Sequence, residues 1–450
     1  MKRKIHERLL QWKRNGAPET ALLIDGARRV GKSFSVLEFA KAEYRSHVFI
    51  DFNKVTDTVK GFFENDLENL DVFFRKISEY YGVRLHPGET LFIFDEVQQY
   101  PRARAAIKYL VEDGRYHYVE TGSLMSIREN VGDIVIPSEE EHLKMHPMDF
   151  EEFLWATGRD GLYETIAGHF ADKSPMGATH RRAMDAFREY LVVGGMPQAV
   201  AKWVQTGDLA KTDAAKRRIL ALYRADIRKH AGKYALKAEA VFDEIPGQLQ
   251  KHDRKFRLAS LGAAARVRDY GDAFLWLQDA MVANVAYSAT EPSVGLAMSA
   301  DTSTMKCYMA DTGLLVSHAF GANELATGGI HRRILFDSLS FNAGMLMENA
   351  VAQMLVASGH PLYFYSRDSR SDPSERMEID FLVANAEARR SKNVTALEVK
   401  SAKDYSTASL DKFRAKFRAE VSSSAILHPG DISITGDVTR LPLYMAPLIG

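Results

Sequence analysis

The chain has 450 residues, more than one hydrophobic core usually serves, so the length predicts two or three domains. Acidic and basic residues balance at 59 each, which excludes a global electrostatic attraction to nucleic acid and leaves only local basic stretches for that role. Cys307 is the sole cysteine, so a disulfide framework and a cysteine-built zinc site are both excluded, and a reducing, cytoplasmic setting is expected.

The basic start Met1 to Arg8 is followed only by Leu9-Leu10 before polar residues return, too short for the apolar region of a signal peptide. No run approaches the roughly 18 apolar residues of a membrane-spanning helix, so no membrane partner is expected. Short apolar runs at Ala21 to Ile24, Val48 to Phe52, Leu91 to Phe94 and Tyr116 to Val119 alternate with helical patterns. That order predicts a parallel sheet with helical crossovers, hence an α/β class for the first part. From Asp149 to Leu249 the periodicity is mostly helical, broken at Gly194-Gly195-Met196-Pro197. Short helices around Leu258 to Val267 and Asp272 to Val282, then strand-like pieces ending in Lys306-Cys307-Tyr308-Met309, suggest a winged-helix-like unit. The tail from Phe341 gives a helix and then strands at Leu362 to Tyr365, Met377 to Val383 and Val394 to Val399. The expected domains are therefore residues 1–148, 149–249, 250–335 and 336–450.

Gly26-Ala27-Arg28-Arg29-Val30-Gly31-Lys32-Ser33 fits the phosphate-loop pattern G-x-x-x-x-G-K-[ST], between a strand and the helical pattern that starts at Phe34. Glycines let the backbone curl so that its amides face a phosphate, the next helix presents its positive end, and Lys32 reaches the β- and γ-oxygens. Gly26, Arg28, Arg29, Val30, Gly31, Lys32, Ser33 and Phe34 are thus the expected ATP contacts. Ser33 is the expected magnesium ligand. Leu91 to Phe94 is an apolar strand ending in Asp95-Glu96, where Asp95 would hold magnesium and Glu96 would polarise the attacking water. Past the next strand, Thr121-Gly122-Ser123 offers Thr121 and Ser123 as contacts to the γ-phosphate, and Arg102, Arg104 and Arg128 are open choices for a trans-acting arginine.

In the tail, Glu348 lies in a helical pattern, Asp380 in a strand, and Glu398-Val399-Lys400 at the end of another. A period of two sets Glu398 and Lys400 on one face, and Asp380 faces them if the two strands pair across Asn385 to Asn393. Asp380 and Glu398 could then hold a divalent ion and Lys400 could orient a water, a geometry suited to cutting a phosphodiester. Two weaker features have plainer readings. Lys211 to Lys233 and Lys251 to Arg268 are basic, but Lys216, Arg217, Arg224 and Arg228 interleave with apolar residues as on a solvated amphipathic face. His142 and His146 stand four apart with Leu143 where a zinc helix needs glutamate, so zinc is set aside.

Taken together, the phosphate loop, Phe94-Asp95-Glu96, Thr121-Gly122-Ser123, Gly194 to Pro197, Tyr308 to Leu314 and Leu397 to Lys400 make the chain resemble bacterial and archaeal AAA-type ATPases. The ATPases in question carry a C-terminal domain of unknown function with a restriction-endonuclease-like PD-(D/E)XK core. The resemblance covers nearly the whole chain, with Glu120 standing where an apolar residue is more usual. It implies an AAA-like P-loop sheet, a helical and winged-helix-like middle and a nuclease-like α/β end. ATP and Mg2+ are the implied cofactors. Glu96 and Lys32 are the implied hydrolytic residues, and Glu348, Asp380, Glu398 and Lys400 the implied nuclease set. Partners implied are DNA, another protein or a second copy of the chain. The other expectation is a signalling switch whose nuclease-like end is a non-catalytic docking module.

Overall fold

The computed structural model describes residues 1–122, 138–251, 254–293, 295–320, 324–335, 343–368, 372, 375–385, 394–402 and 404–449. The chain divides into two compact units, Met1–His146 and Pro147–Gly450.

The first unit is a five-stranded parallel sheet in the order β2-β3-β4-β1-β5, with β1 Ala21–Asp25, β2 Ser46–Asp51, β3 Thr90–Asp95, β4 His117–Gly122 and β5 Glu140–Lys144. Strands β1 and β3 are buried along their whole length, as expected of a sheet covered on both faces by crossover helices. Those helices are α1 Ile5–Asn15, α2 Lys32–Glu43, α3 Asp57–Asn65, α4 Leu70–Tyr81 and α5 Pro101–Asp113. Their ends follow local chemistry. Thr56 and Asn69 cap α3 and α4 through side-chain oxygens, Pro101 starts α5, and Gly82 and Gly114 close α4 and α5 in the left-handed region. One face of the sheet is sealed by aromatic side chains, among them Phe63 against Phe73 at 5.1 Å and Phe74 against Tyr116 at 4.8 Å. Strand β5 is the element that the sequence pattern does not announce. It is polar, Glu-Glu-His-Leu-Lys, and pairs in parallel with β1 from Ala21 to Asp25. His142 therefore sits on a strand and not on a zinc-type helix.

The second unit begins with helices, from Phe150–Ala156 to Ala235–Leu249, as the periodicity predicts. Its opening helix carries a reciprocal cap, Asp149 with Glu152. A mixed eight-stranded sheet follows in the order β12-β13-β11-β10-β9-β8-β6-β7. Its members are β6 Ala283–Ala289, β7 Ala300–Met309, β8 Tyr363–Arg367, β9 Met377–Ala384, β10 Val394–Val399, β11 Val421–His428, β12 Ser433–Thr435 and β13 Val438–Pro442. The β6–β7 hairpin, expected within a winged-helix-like unit, pairs through β6 with β8. It thus extends the sheet of the tail, and the sheet runs across the boundary expected at residue 335.

Two of the motifs behind the resemblance meet inside this unit. Asp311 accepts from the Gly195 N–H at 2.5 Å and from the Leu314 N–H at 2.8 Å, which ties Gly194-Gly195 to Asp311-Thr312-Gly313-Leu314. Lys216 does not lie on the solvated face expected for it. It is fully buried and donates to the Val192 carbonyl at 2.7 Å and the Gly313 carbonyl at 3.2 Å, which brings a third helix to the same junction. Glycine is required here by close approach, since a Cβ on Gly195 would lie 2.0 Å from the Met148 carbonyl oxygen. Gly195→Ala is therefore expected to cost about 1–3 kcal/mol, the range for an overpacked core, and to lower the thermal midpoint of the full chain. An unchanged melting curve would contradict this close packing.

Candidate nucleotide site and acidic cleft

The parallel sheet brings the carboxyl ends of β1, β3 and β4 side by side, and the residues singled out in the sequence lie at those ends. After β1 the loop turns at Arg29 (φ 71°) and Gly31 (φ 97°), two left-handed residues that send the backbone into α2. Gly26 lies against the Met145 carbonyl oxygen, which a Cβ would approach to 2.3 Å. Arg28, Arg29 and Phe34 are exposed and Val30 is buried, so the loop keeps one apolar anchor and turns its longer side chains outward. Lys32 is folded back over the loop, donating to the Gly26 carbonyl at 2.8 Å and the Ala27 carbonyl at 3.1 Å. Burial lowers the Lys32 ammonium from its usual value, against the attraction of Glu96, Asp25 and Asp95.

Asp95 collects two hydroxyls on one oxygen: Ser33 Oγ and Thr121 Oγ1 each donate to Oδ1 at 2.5 Å. The next residue, Glu96, holds a left-handed backbone (φ 54°) and accepts from Gln98 Nε2 at 2.5 Å. Positive φ is uncommon outside glycine and recurs where a side chain must be aimed. Lys32, Ser33, Asp95, Glu96 and Thr121 thus converge, while Ser123 and Arg128 lie outside the described residues. Of the other arginines, Arg104 is only 3% exposed and forms a fork with Glu140 at 2.8 and 3.1 Å, and Arg102 donates to the Phe63 and Glu64 carbonyls. Arg104 is occupied inside its own unit, which suits bracing of β5 better than reaching another chain.

One residue escapes sequence reading. Arg3 is nearly buried, and its two terminal nitrogens donate to the Val30 carbonyl at 2.9 Å and the His146 carbonyl at 2.8 Å. It fastens the phosphate-loop pattern to the last residue of the first unit. A lone arginine in a basic leader carries no pattern that would reveal this.

In the second unit β9 and β10 pair antiparallel, Phe381 opposite Leu397, which brings Asp380 beside Glu398-Val399. Asp380 Oδ2 accepts from the Val399 N–H at 2.8 Å. Lys400 Nζ stands 2.8 Å from Glu398 Oε2, an ion pair that leaves this oxygen without a well-angled hydrogen-bond donor. Burial pushes the Glu398 carboxyl up to about 7 despite Lys400. Asp380 is also raised, by burial and by Glu348. Glu348, on the helix Ala343–Ala357, accepts from Tyr308 Oη at 2.6 Å and pairs with Lys306 at 3.2 Å and with Arg254. Burial would raise Glu348, but Lys306 and Arg254 outweigh it and hold the carboxyl below its usual range. Arg254, Glu378, Asp380, Glu398, Lys400 and Ser409 line a cleft of about 410 Å³. Glu348, Asp380, Glu398 and Lys400 were legible in the sequence; Lys306, Tyr308, Arg254 and Glu378 were not. A usable signal existed in Lys306-Cys307-Tyr308, where a lysine interrupts an apolar strand at a position of one face with Tyr308. Among the described residues, no three of His, Cys, Asp and Glu form a group able to hold a metal ion.

Comparison with known families fits the first site. Residues 18–154 match the model of the AAA domain. The first unit is an AAA-type P-loop domain. Residues 184–325 and 343–445 match two domains of unknown function, DUF8612 and DUF4143. No curated protein matches the chain. Among solved structures, the chain is similar to the Walker-type ATPase PABY2304 of Pyrococcus abyssi, at 14% identity over 70% of this chain and 95% of that one, with TM-score 0.41. It is also similar to the ORC2 protein of Aeropyrum pernix, at 12% identity over 75% and 93%, with TM-score 0.33. No helix among the described residues is long and apolar enough to cross a membrane.

An AAA domain implies nucleotide binding, and Arg3 then has a measurable role. Losing one charge-assisted bond to the loop, worth about 1.5–3 kcal/mol, should weaken ATP binding by Arg3→Gln at least about tenfold. Arg3→Lys should recover part of it. Titration with a fluorescent ATP analogue reads both, and equal affinity in all three proteins would rule the role out.

Proposed function

We propose that the chain is a magnesium-dependent ATPase whose nucleotide state controls a nuclease-like C-terminal domain engaging nucleic acid. The observation that carries the first half is the meeting of Lys32, Ser33, Asp95, Glu96 and Thr121 at neighbouring strand ends. In this reading the loop amides and the N-terminus of α2 cradle the phosphates, and Lys32 leaves the Gly26 and Ala27 carbonyls to meet the β- and γ-oxygens. Ser33 and Asp95 supply hard oxygen donors already in contact, which fits magnesium. Held by Ser33 and Asp95, magnesium would supply neutralisation of the charge on the phosphates. Glu96, aimed by its left-handed backbone, orients the attacking water and draws its proton, while Thr121 reports the γ-phosphate through Asp95.

Control of the second unit is supported by the route of the chain. Strand β5 lies against the P-loop strand, Met145 N–H bonds the Asp25 carbonyl at 2.8 Å, and the chain leaves the first unit directly afterwards. The nuclease-like reading of the C-terminal region rests on the resemblance and on the nearness of Asp380, Glu398 and Lys400 around one cleft. The second reading, a docking module for a protein partner, is favoured by the internal pairing of these acids with lysines and an arginine.

Lys32→Ala should lose ATP binding and hydrolysis together, whereas Glu96→Gln should keep ATP binding and lose at least about a hundredfold in turnover. Hydrolysis that survives Lys32→Ala would remove the assignment. DNA retarded by the full chain in EDTA, with release or tightening once ATP and magnesium in excess of the chelator are added, supports the C-terminal half. No retardation in any nucleotide state favours the docking module.

A further inference from the structure

Two acids that line the cleft, Glu378 and Asp380, pair with a buried cation supplied by the chain itself. Lys306 Nζ lies 2.9 Å from Glu378, 3.2 Å from Glu348 and 3.6 Å from Asp380, so carboxylates of two elements converge on one ammonium. The lysine is fully buried on β7 and its ammonium lies 5.1 Å from the centre of the Phe364 ring, so it has no water to retreat to. A buried ammonium without partners is costly, and these acids are its partners. Other oxygens of these acids are engaged as well. Asp380 Oδ2 serves the Val399 N–H, Glu348 serves Tyr308 and Arg254, and Glu398 faces Lys400.

Magnesium or manganese needs oxygens drawn in to about 2.0–2.2 Å in a near-octahedral shell. Here the oxygens stand around a larger, singly charged group, and a divalent ion entering among them meets the Lys306 ammonium at close range. The donor set as built therefore fits an ammonium and not a divalent ion.

We propose that Lys306 stands in for the divalent ion of this cluster and leaves it free of metal. The inference builds on the reading of Asp380, Glu348 and Glu398 as a nuclease-like set, and it concerns metal alone. Replacing Lys306 by methionine keeps much of its length and leaves three acids without their shared cation, so the cluster should then recruit one from solution.

The test is a Mn2+ titration followed by electron paramagnetic resonance on the full chain without nucleotide. Wild type and Asp380→Asn should bind Mn2+ alike up to about 1 mM, the weak end of protein sites. Lys306→Met should bind one further ion at least about tenfold more tightly than wild type, and Lys306→Met/Asp380→Asn should lose it. An ion held by wild type and absent from Asp380→Asn overturns the proposal, as does a cooperatively melting Lys306→Met with no gain. If Lys306→Met does not fold, the wild-type and Asp380→Asn pair decides: equal binding supports the proposal and unequal binding overturns it. DNA retardation in EDTA depends on none of these outcomes, so failure of the nucleic-acid reading and failure of this inference are separately visible.

Discussion

The Asp95 carboxylate is the point on which the first unit turns. It ends a fully buried strand, accepts hydroxyls from Ser33 on the helix after the loop and from Thr121 on the neighbouring strand, and so fastens three segments at one oxygen. Parallel pairing makes this possible, because it puts the carboxyl ends of β1, β3 and β4 on the same edge of the sheet. A sequence that changed the order of strands would keep every motif and lose the site.

Buried charge organises the second unit in a comparable way. Lys216 bridges the Val192 and Gly313 carbonyls, Asp311 gathers the amides of Gly195 and Leu314, and Lys306 gathers three acids. Each charge out of water demands partners from distant parts of the chain, so each one fixes tertiary structure. This gives a physical account of motifs that look functional in the sequence: Gly194-Gly195 and Asp311 to Leu314 form a packing junction in which a Cβ would collide with backbone.

Much of this was legible because it follows local rules. The alternation of apolar runs with helical patterns foretold the parallel sheet, and the glycine spacing with Lys32-Ser33 foretold the loop. Pairing of β9 with β10 follows from two apolar runs with a polar stretch of sequence between them. What escaped depends on contacts far apart in sequence. Polar β5 has no apolar signature because it is an edge strand, and Arg3 gains meaning only when residues 30 and 146 come to it. Lys216 looked solvated because helical periodicity cannot show which face a second helix covers. The β6–β7 hairpin, expected in a winged-helix-like unit, joins a sheet whose other strands run from Tyr363 to Pro442, which periodicity alone does not reveal.

Calorimetric ATP binding to wild type and Asp95→Asn, in magnesium and in EDTA, tests whether Ser33 and Asp95 make the loop a site for the magnesium form of ATP. Magnesium should tighten binding to wild type and do little for Asp95→Asn, with the two proteins alike in EDTA. Equal tightening by magnesium in both proteins would contradict the account.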